Sequence, residues 1–302
     1  EAIPKSASPE ETSLIRSLLN EIIGEVTEKA AKETGLAKGT LVTAGTIDAA
    51  AEAISVGVIN PKDMMMMYGS TMYFIILTNK PIYDNRLWCA PWLFKGEHCS
   101  QAGLATSGTL THWFKNEFAK DVNSENPFEV LAKEAETSSI GSNGIIFLPY
   151  FSGERTPIHD THAKGTFFGL NLTHKRSDMY RSIFEGIAYG TKHVFETLNE
   201  LNNMPKNLYS VGGGTKNKLW SQTTSDVIGL NQIIRKITFG ASYGDAFLSA
   251  LAAGDVNKTD INKWNNIENK IIAHKKDAYE KGYKHFRRLY EETKKLMKDM
   301  DS

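Results

Sequence analysis

This 302-residue sequence predicts an α/β fold, a mixed sheet flanked by helices. Strand-like and helix-like segments alternate through most of the chain. An early pair of apolar runs around a small-residue turn adds antiparallel pairing to that alternation. Beyond residue 177, Met179, Ile183, Phe184, Ile187, Val194, Phe195, Leu198 and Leu201 recur near a 3.6-residue period, the mark of a long helix with a buried face.

The elements follow in order. SASPEETSLIRSLLNEII (residues 6–23) reads as a capped leading helix, with Ser8 ahead of Pro9 and acids in the first turn. The chain opens on Glu1 without a signal-peptide pattern. Residues 1–27 are therefore taken as a leading helix and linker left from a preceding segment, and residues 28–302 as the main domain. Residues 26–34 read as a short helix that Gly35 stops, 41–44 as a strand and 48–56 as an alanine-rich helix. MMMMYGSTMYFIILT (64–78) is a β-hairpin turning through Gly69, Ser70 and Thr71, its methionines core rather than a metal or cofactor box. Residues 87–104 are aromatic and irregular, strands with a loop, and 109–118 are a helix with Leu110, Trp113, Phe114 and Phe118 on one face. GIIFLPYFSGERTPI (144–158) begins as a buried strand and ends as a polar loop. NLYSVGGGTKNKLWSQTTSDVIG (207–229) is strand, glycine turn and helix; NQIIRKITF (231–239) is a strand and YGDAFLSALAAG (243–254) a helix. Residues 275–300 form an amphipathic terminal helix whose outer charges are solvated.

Composition narrows the function classes. Hydrophobic residues make up 41%, enough for a real core. Lys plus Arg equals Asp plus Glu, 35 each, so no bulk charge points to nucleic acid or an acidic membrane. No apolar run reaches the roughly 20 residues that cross a bilayer. Cys89 and Cys99 are too few for a disulfide framework or a four-ligand zinc site, and read as reduced thiols of a cytoplasmic protein. Trp88, Trp92 and Trp113 fit either core or a homodimer contact, with core the default.

Three small-residue turns follow strands: Gly69-Ser70-Thr71, Ser107-Gly108-Thr109 and Gly212-Gly213-Gly214-Thr215. Glycine lets backbone approach a ligand, and N–H groups at such turns favour phosphate. Together they point to a nucleotide cleft. No Gly-Lys-Ser or Gly-Lys-Thr occurs, and no GxGxxG is followed by a ribose-binding acid, so the cleft is neither a P-loop nor a Rossmann site. His159 and His162 flank Asp160 with no identifiable third ligand, and a loop surface explains them better than a metal site. Glu154 and Arg155, in GERTP, fit an ion pair fixing a turn as well as a substrate contact. In LVTAGTIDAAAEAISVG a lone carboxylate, Asp48, stands before the alanine run. From that stretch alone it is a helix cap, since Asp accepts an orphan N–H there.

The spaced set in GTFFGLNLTHKRSDMYRSIFEG (Gly165, Phe167, Gly169, Leu170, then Asp178, Met179, Ser182, Ile183, Phe184 and Glu185) resembles the second signature of the FGGY family of carbohydrate kinases. TAGTIDAAA, YGST, FLPYFSGERTP and SVGGGTKNKLWSQTTSDVIG occur in that family's order, over about residues 21–302. FLPYFSGERTP and AKGTFFGL look most like xylulose kinases, with gluconate kinases similar.

The resemblance implies an actin-like, ribonuclease-H-like ATPase domain, here the C-terminal half of a sugar kinase. It implies ATP and Mg²⁺, a sugar substrate, an N-terminal domain as partner, and inactivity without that domain. It makes Asp48 the catalytic base, and Gly69 and Ser70, with Thr71, the loop at the terminal phosphates. It adds a backbone contact at Gly108, His112 facing the nucleotide, the turn of Gly212, Gly213, Gly214 and Thr215 under the adenosine, and Asn217 near the base. It adds no protein-held metal site. The chain departs from common family patterns at Gly45-Thr46-Ile47-Asp48 and at Gly69-Ser70-Thr71, both keeping a hydroxyl and a small backbone. Glu1 to Asn20 matches nothing in the family, so the expectation is an isolated C-terminal half or missing sequence before about Glu21. The competing reading is a non-catalytic actin-like ATP-binding module, with Asp48 a cap or a water-positioning group.

Overall fold

The computed structural model describes residues 22–301. The leading helix read at 6–23 lies outside them except for Ile22 and Ile23, which open strand β1 (Ile22–Glu25) instead of ending a helix. Two adjacent β-branched residues suit a strand better than a helix turn. β1 pairs antiparallel with β2 (Leu41–Thr43) across helix α1 (Glu28–Thr34), whose Ala30 N–H donates to Thr27 Oγ1 and whose end is closed by Gly35 in the left-handed region. Helix α2 (Asp48–Ser55) starts one residue after its N-cap, Ile47.

The core of the molecule is a seven-stranded sheet. Its early strands are β3 (Asp63–Tyr68), β4 (Met72–Thr78), β5 (Trp88–Pro91) and β6 (His98–Leu104). Helices α3 (Gly108–Phe118) and α4 (Pro127–Glu136) follow, then a separate antiparallel pair, β7 (Ile146–Leu148) with β8 (Thr166–Phe168). The long helix is α5 (Arg176–Glu200). The second half alternates β9 (Asn207–Val211), α6 (Lys218–Ile228), β10 (Gln232–Arg235), α7 (Ala241–Ala253), a short α8 (Ile261–Trp264), β11 (Ile267–Ile271) and α9 (Asp277–Asp299). The sheet order is β11-β10-β9-β3-β4-β6-β5, with β10–β9 and β9–β3 parallel and the rest antiparallel.

Alternation along the hairpin supplies both faces. Met64, Met66, Tyr68, Met72, Phe74 and Ile76 pack toward α3, α5 and α6, against Phe114, Phe184, Phe195 and Trp220. Met65, Ile75 and Leu77 pack the other way, against Ala50, Ala53 and Ile54 of α2 and Phe247 of α7. A third cluster joins β7 to α9 through Leu148, Tyr150, Tyr189 and Phe286. The methionine run is core, as expected, and so is Trp92, whereas Trp88 stands part-exposed at the sheet edge. The strand read over 231–239 shortens to Gln232–Arg235.

Register places the chemistry. Tyr68 pairs with Met72 around the hairpin turn, Met67 with Val211, and Met72 with Leu104. The tip at 69–71, the β6–α3 turn and the β9–α6 turn therefore emerge side by side at one end of the central strands.

Candidate nucleotide and transfer site

These turns line a cavity of about 320 Å³. Of the residues singled out from the sequence, Gly69, Ser70, Gly108, His112, Gly213, Gly214 and Asn217 border it. A second cavity of about 620 Å³ shares Phe128, Gly213 and Asn217 with the first and runs between α4 and the start of α6. The two together have the size of a pocket for a nucleotide-sized ligand.

The turns brace one another. Gly69 O accepts from the Gly108 N–H at 3.0 Å and from Ser107 Oγ at 2.9 Å. Ser70 O accepts from the N–H groups of Ser107 (2.9 Å) and Thr109 (3.3 Å), and from Thr109 Oγ1 (3.1 Å). The N-terminus of α3 is thus occupied by the hairpin tip, and Gly108 serves the cavity by lacking a side chain rather than by its N–H. A Cβ at Gly108 would lie 2.5 Å from Gly69 O. Gly69 N–H is taken as well, by Thr71 O at 3.1 Å. The N–H groups of Ser70 and Thr71 have no partner among the described residues. Because a trans peptide points its N–H opposite to its C=O, both are directed away from α3.

The triple-glycine turn divides its labour. Gly212, at φ 89°, passes so close to Tyr68 that a Cβ would meet its carbonyl oxygen at 2.5 Å, and a Cβ on Gly214 would strike the Trp220 ring at 2.4 Å. Gly213 has nothing within 4 Å of a Cβ position, so its open side belongs to the cavity. Thr215 folds back on Gly212 O through its N–H and its hydroxyl, and lies off the cavity wall, as do Gly212 and Thr71. Asn217 caps α6 by accepting the Trp220 N–H at 3.0 Å. Below the turn, Tyr68 Oη and Ser210 Oγ donate to Gln232 Oε1, whose amide donates to Ser221 O and Ser225 Oγ. That buried network is satisfied and holds the cavity floor rigid.

Sequence reasoning missed Tyr68, Thr111, Phe128, Tyr180 and Trp220 in the walls. His112 meets Phe128 edge-on at 4.5 Å, and Trp220 meets Tyr68 edge-on at 5.1 Å. Asn126 followed by Pro127 is a helix-start signal that could have located α4, and Phe128 with it. Trp220 Nε1 is buried with no partner among the described residues.

Asp48 does not border the cavity. It is exposed, stands in the first turn of α2 rather than at the N-cap, and accepts only the N–H of its neighbour Ala49, at 2.7 Å. The capping reading is corrected on that ground: its carboxylate is left for something else. Its helix α2 packs on one face of the hairpin, and α6, which borders the cavity, on the other. Its charge, after burial, raises the pKa of Glu52, and it helps raise Tyr73, two residues past the tip, to about 12. Burial is the larger cause for Tyr73, Cys99 adds to it, and Arg155 opposes it.

Two loop readings resolve. Glu154 makes no ion pair with Arg155; its Oε1 accepts the N–H groups of Ala105 and Arg155, each at 2.7 Å. Burial raises its pKa to about 8 despite those two bonds and the nearby Arg155 charge. His162 contacts Asp301 at 3.0 Å, His159 lies edge-on to Trp88, and Asp160 accepts from Tyr290. Among the described residues no three His, Cys, Asp or Glu side chains gather as a metal site. Buried Asp178 accepts from Ser138 Oγ, Asn143 Nδ2 and the Lys175 N–H, so this part of the signature fixes the start of α5.

Comparison with known proteins agrees with this geometry. The chain is 28% identical to the xylulose kinase of Staphylococcus epidermidis over 284 residues, 92% of this chain and 56% of the relative. It is 26% identical to the gluconokinase of Bacillus subtilis over 250 residues, 80% of this chain and 48% of the relative. The chain thus spans about half the length of the curated relatives it matches. The crystal structure of the xylulose kinase from Rhodospirillum rubrum superimposes with a TM-score of 0.85 at 27% identity, covering 92% of this chain and 57% of that one. The fold is therefore the actin-like ATPase fold of these kinases. Residues 64–253, which hold the hairpin tip and both other turns, match the C-terminal-domain model of one family, and by that match the chain belongs to the FGGY family of carbohydrate kinases.

Proposed function

We propose that this chain supplies the nucleotide site and catalytic base of a sugar kinase, and that a preceding N-terminal domain supplies most of the sugar site. The observation that carries this is the convergence of three glycine turns on one cavity, with an uncommitted carboxylate on the helix that packs against the other face of the hairpin. ATP lies with its adenosine toward Gly213, Gly214 and Asn217, and its phosphates toward Ser70 and Thr71. Mg²⁺ bound with the triphosphate would supply charge neutralisation.

A sugar hydroxyl oxygen attacks the γ-phosphorus, and Asp48 accepts the hydroxyl proton. The bond from the γ-phosphorus to the β,γ-bridging oxygen breaks, and ADP leaves with the electron pair. The chain's own contribution is mostly position and charge, as a loose phosphoryl-transfer transition state requires. The N–H groups of Ser70 and Thr71 donate to phosphate oxygens. Asp48 stands in the first turn of α2, where a helix N-terminus favours negative charge. Closure against the preceding domain excludes water and limits ATP hydrolysis.

The substrate is D-xylulose, phosphorylated on its 5-hydroxyl; similarity to both a xylulose kinase and a gluconokinase makes gluconate the second candidate. The free thiols of Cys89 and Cys99 suit a reducing cytoplasm. The test is a panel of pentuloses, gluconate and glycerol with ATP and the natural full-length protein. Sugar-dependent ADP release with D-xylulose preferred supports the reading. Preference for gluconate replaces the substrate. Nucleotide-dependent partner binding with no sugar turnover replaces the kinase by an ATP-binding module.

A further inference from the structure

We propose that Arg155 grips the phosphoryl group as it passes from nucleotide to sugar, an assignment that rests on the sugar-kinase reading of this site. The loop that carries it is anchored on both sides of that residue. Thr156, fully buried, accepts the Gly103 N–H at 2.7 Å through its hydroxyl, and its own N–H and hydroxyl both donate to Gly103 O. Glu154 accepts the N–H groups of Ala105 and of Arg155 itself. One stretch of loop thus binds residues 103 and 105, directly ahead of the Ser107–Gly108 turn that clamps the hairpin tip. Gly103 pairs with Tyr73 across β4 and β6, and a Cβ there would lie 3.5 Å from the Tyr73 ring. The main chain of Arg155 is therefore pinned beside Tyr73, two residues past the tip.

Its side chain is exposed, and its guanidinium makes no hydrogen bond or ion pair among the described residues. Every other described arginine is engaged: Arg86, Arg176, Arg181, Arg287 and Arg288 with carboxylates, Arg235 with carbonyl groups. Arg155 and Asp48 act on the same neighbour with opposite sign, since both perturb the Tyr73 phenol. The free cation and the free carboxylate are thus both within electrostatic reach of Tyr73, two residues past the tip.

A guanidinium offers five N–H donors in a planar fork that matches two oxygens of one phosphoryl group, and it stays charged throughout the working pH range. In the transfer described above the charge on the equatorial oxygens of the moving phosphoryl group is what Arg155 meets. It forms hydrogen bonds and exchanges no proton; the proton goes to Asp48 and the electron pair to ADP.

The experiment compares wild type, Arg155→Ala and Arg155→Lys in the natural full-length protein by steady-state kinetics and thermal melting. Arg155→Ala should lower kcat about 10²- to 10³-fold, with KM for ATP and for sugar within about threefold and Tm within about 1 °C, because the guanidinium has no partner to lose. Arg155→Lys should recover only part of that loss, a point charge replacing the fork. Wild-type kcat in both variants overturns the proposal, as does a loss confined to KM for the sugar. If wild type itself turns over no sugar, the kinase reading fails and this one with it. If wild type is active and Arg155→Ala equals it, only Arg155 is removed.

Discussion

Asp48 and Glu154 are both acids near the hairpin tip, and their surroundings give them opposite tasks. Asp48 is exposed and bonded only to its own neighbour, so replacing its carboxylate should cost chemistry and not folding. In the full-length protein Asp48→Asn is expected to lower sugar-dependent kcat about 10²- to 10⁴-fold while the ATP Kd from calorimetry stays put; near-normal turnover would take the base role away from it. Glu154 is buried, with Oε2 unpartnered among the described residues. Its folded pKa of about 8 stands above the ordinary 4.5, so between those values the folded state holds the extra proton. Stability should then fall as pH rises from about 4.5 to 8, by roughly a few kcal/mol. Glu154→Gln keeps both accepted N–H bonds and should flatten the pH dependence of Tm; an unchanged slope in that variant would place the titration elsewhere. Sequence alone could not separate these acids, since a first-turn Asp and an N-cap Asp look alike and burial of Glu154 depends on residues some fifty positions away.

At the level of elements, the three turns carry the site and were legible as glycine turns following strands. Their separate duties were not, because these depend on register across the sheet. Two substitutions separate them. Gly108→Ala would set a methyl group 2.5 Å from Gly69 O, so the tip must shift. It should lose about 1–3 kcal/mol of stability and weaken ATP binding at least about tenfold. Gly213→Ala has open space and should leave Tm unchanged while still weakening ATP through steric exclusion. Equal Tm losses in the two would mean that Gly213 is packed rather than facing a ligand. β11 escaped the sequence reading because IENKI is solvent-facing along its length and lacks an apolar alternation. α4 escaped although Asn126-Pro127 announces it.

For the whole molecule, the chain spans 56% of the xylulose kinase it resembles, and its carboxylate and its free guanidinium both face outward. A sugar needs a second wall to be held against them. The 302-residue chain by itself should bind ATP in a calorimeter yet release no sugar-dependent ADP in a coupled assay until the preceding domain is supplied; turnover by the chain alone would show that the wall is already here. The long helix, the hairpin and the strand–glycine–helix unit were readable because each repeats a local period. The seating of α9 on the β7 cluster was not, because it joins residues more than a hundred positions apart. The clasp between α3 and the hairpin tip has one more outcome. With the carbonyl oxygens of Gly69 and Ser70 already engaged, neither is left for a bare divalent ion, so magnesium should arrive as a passenger on the triphosphate rather than waiting for it.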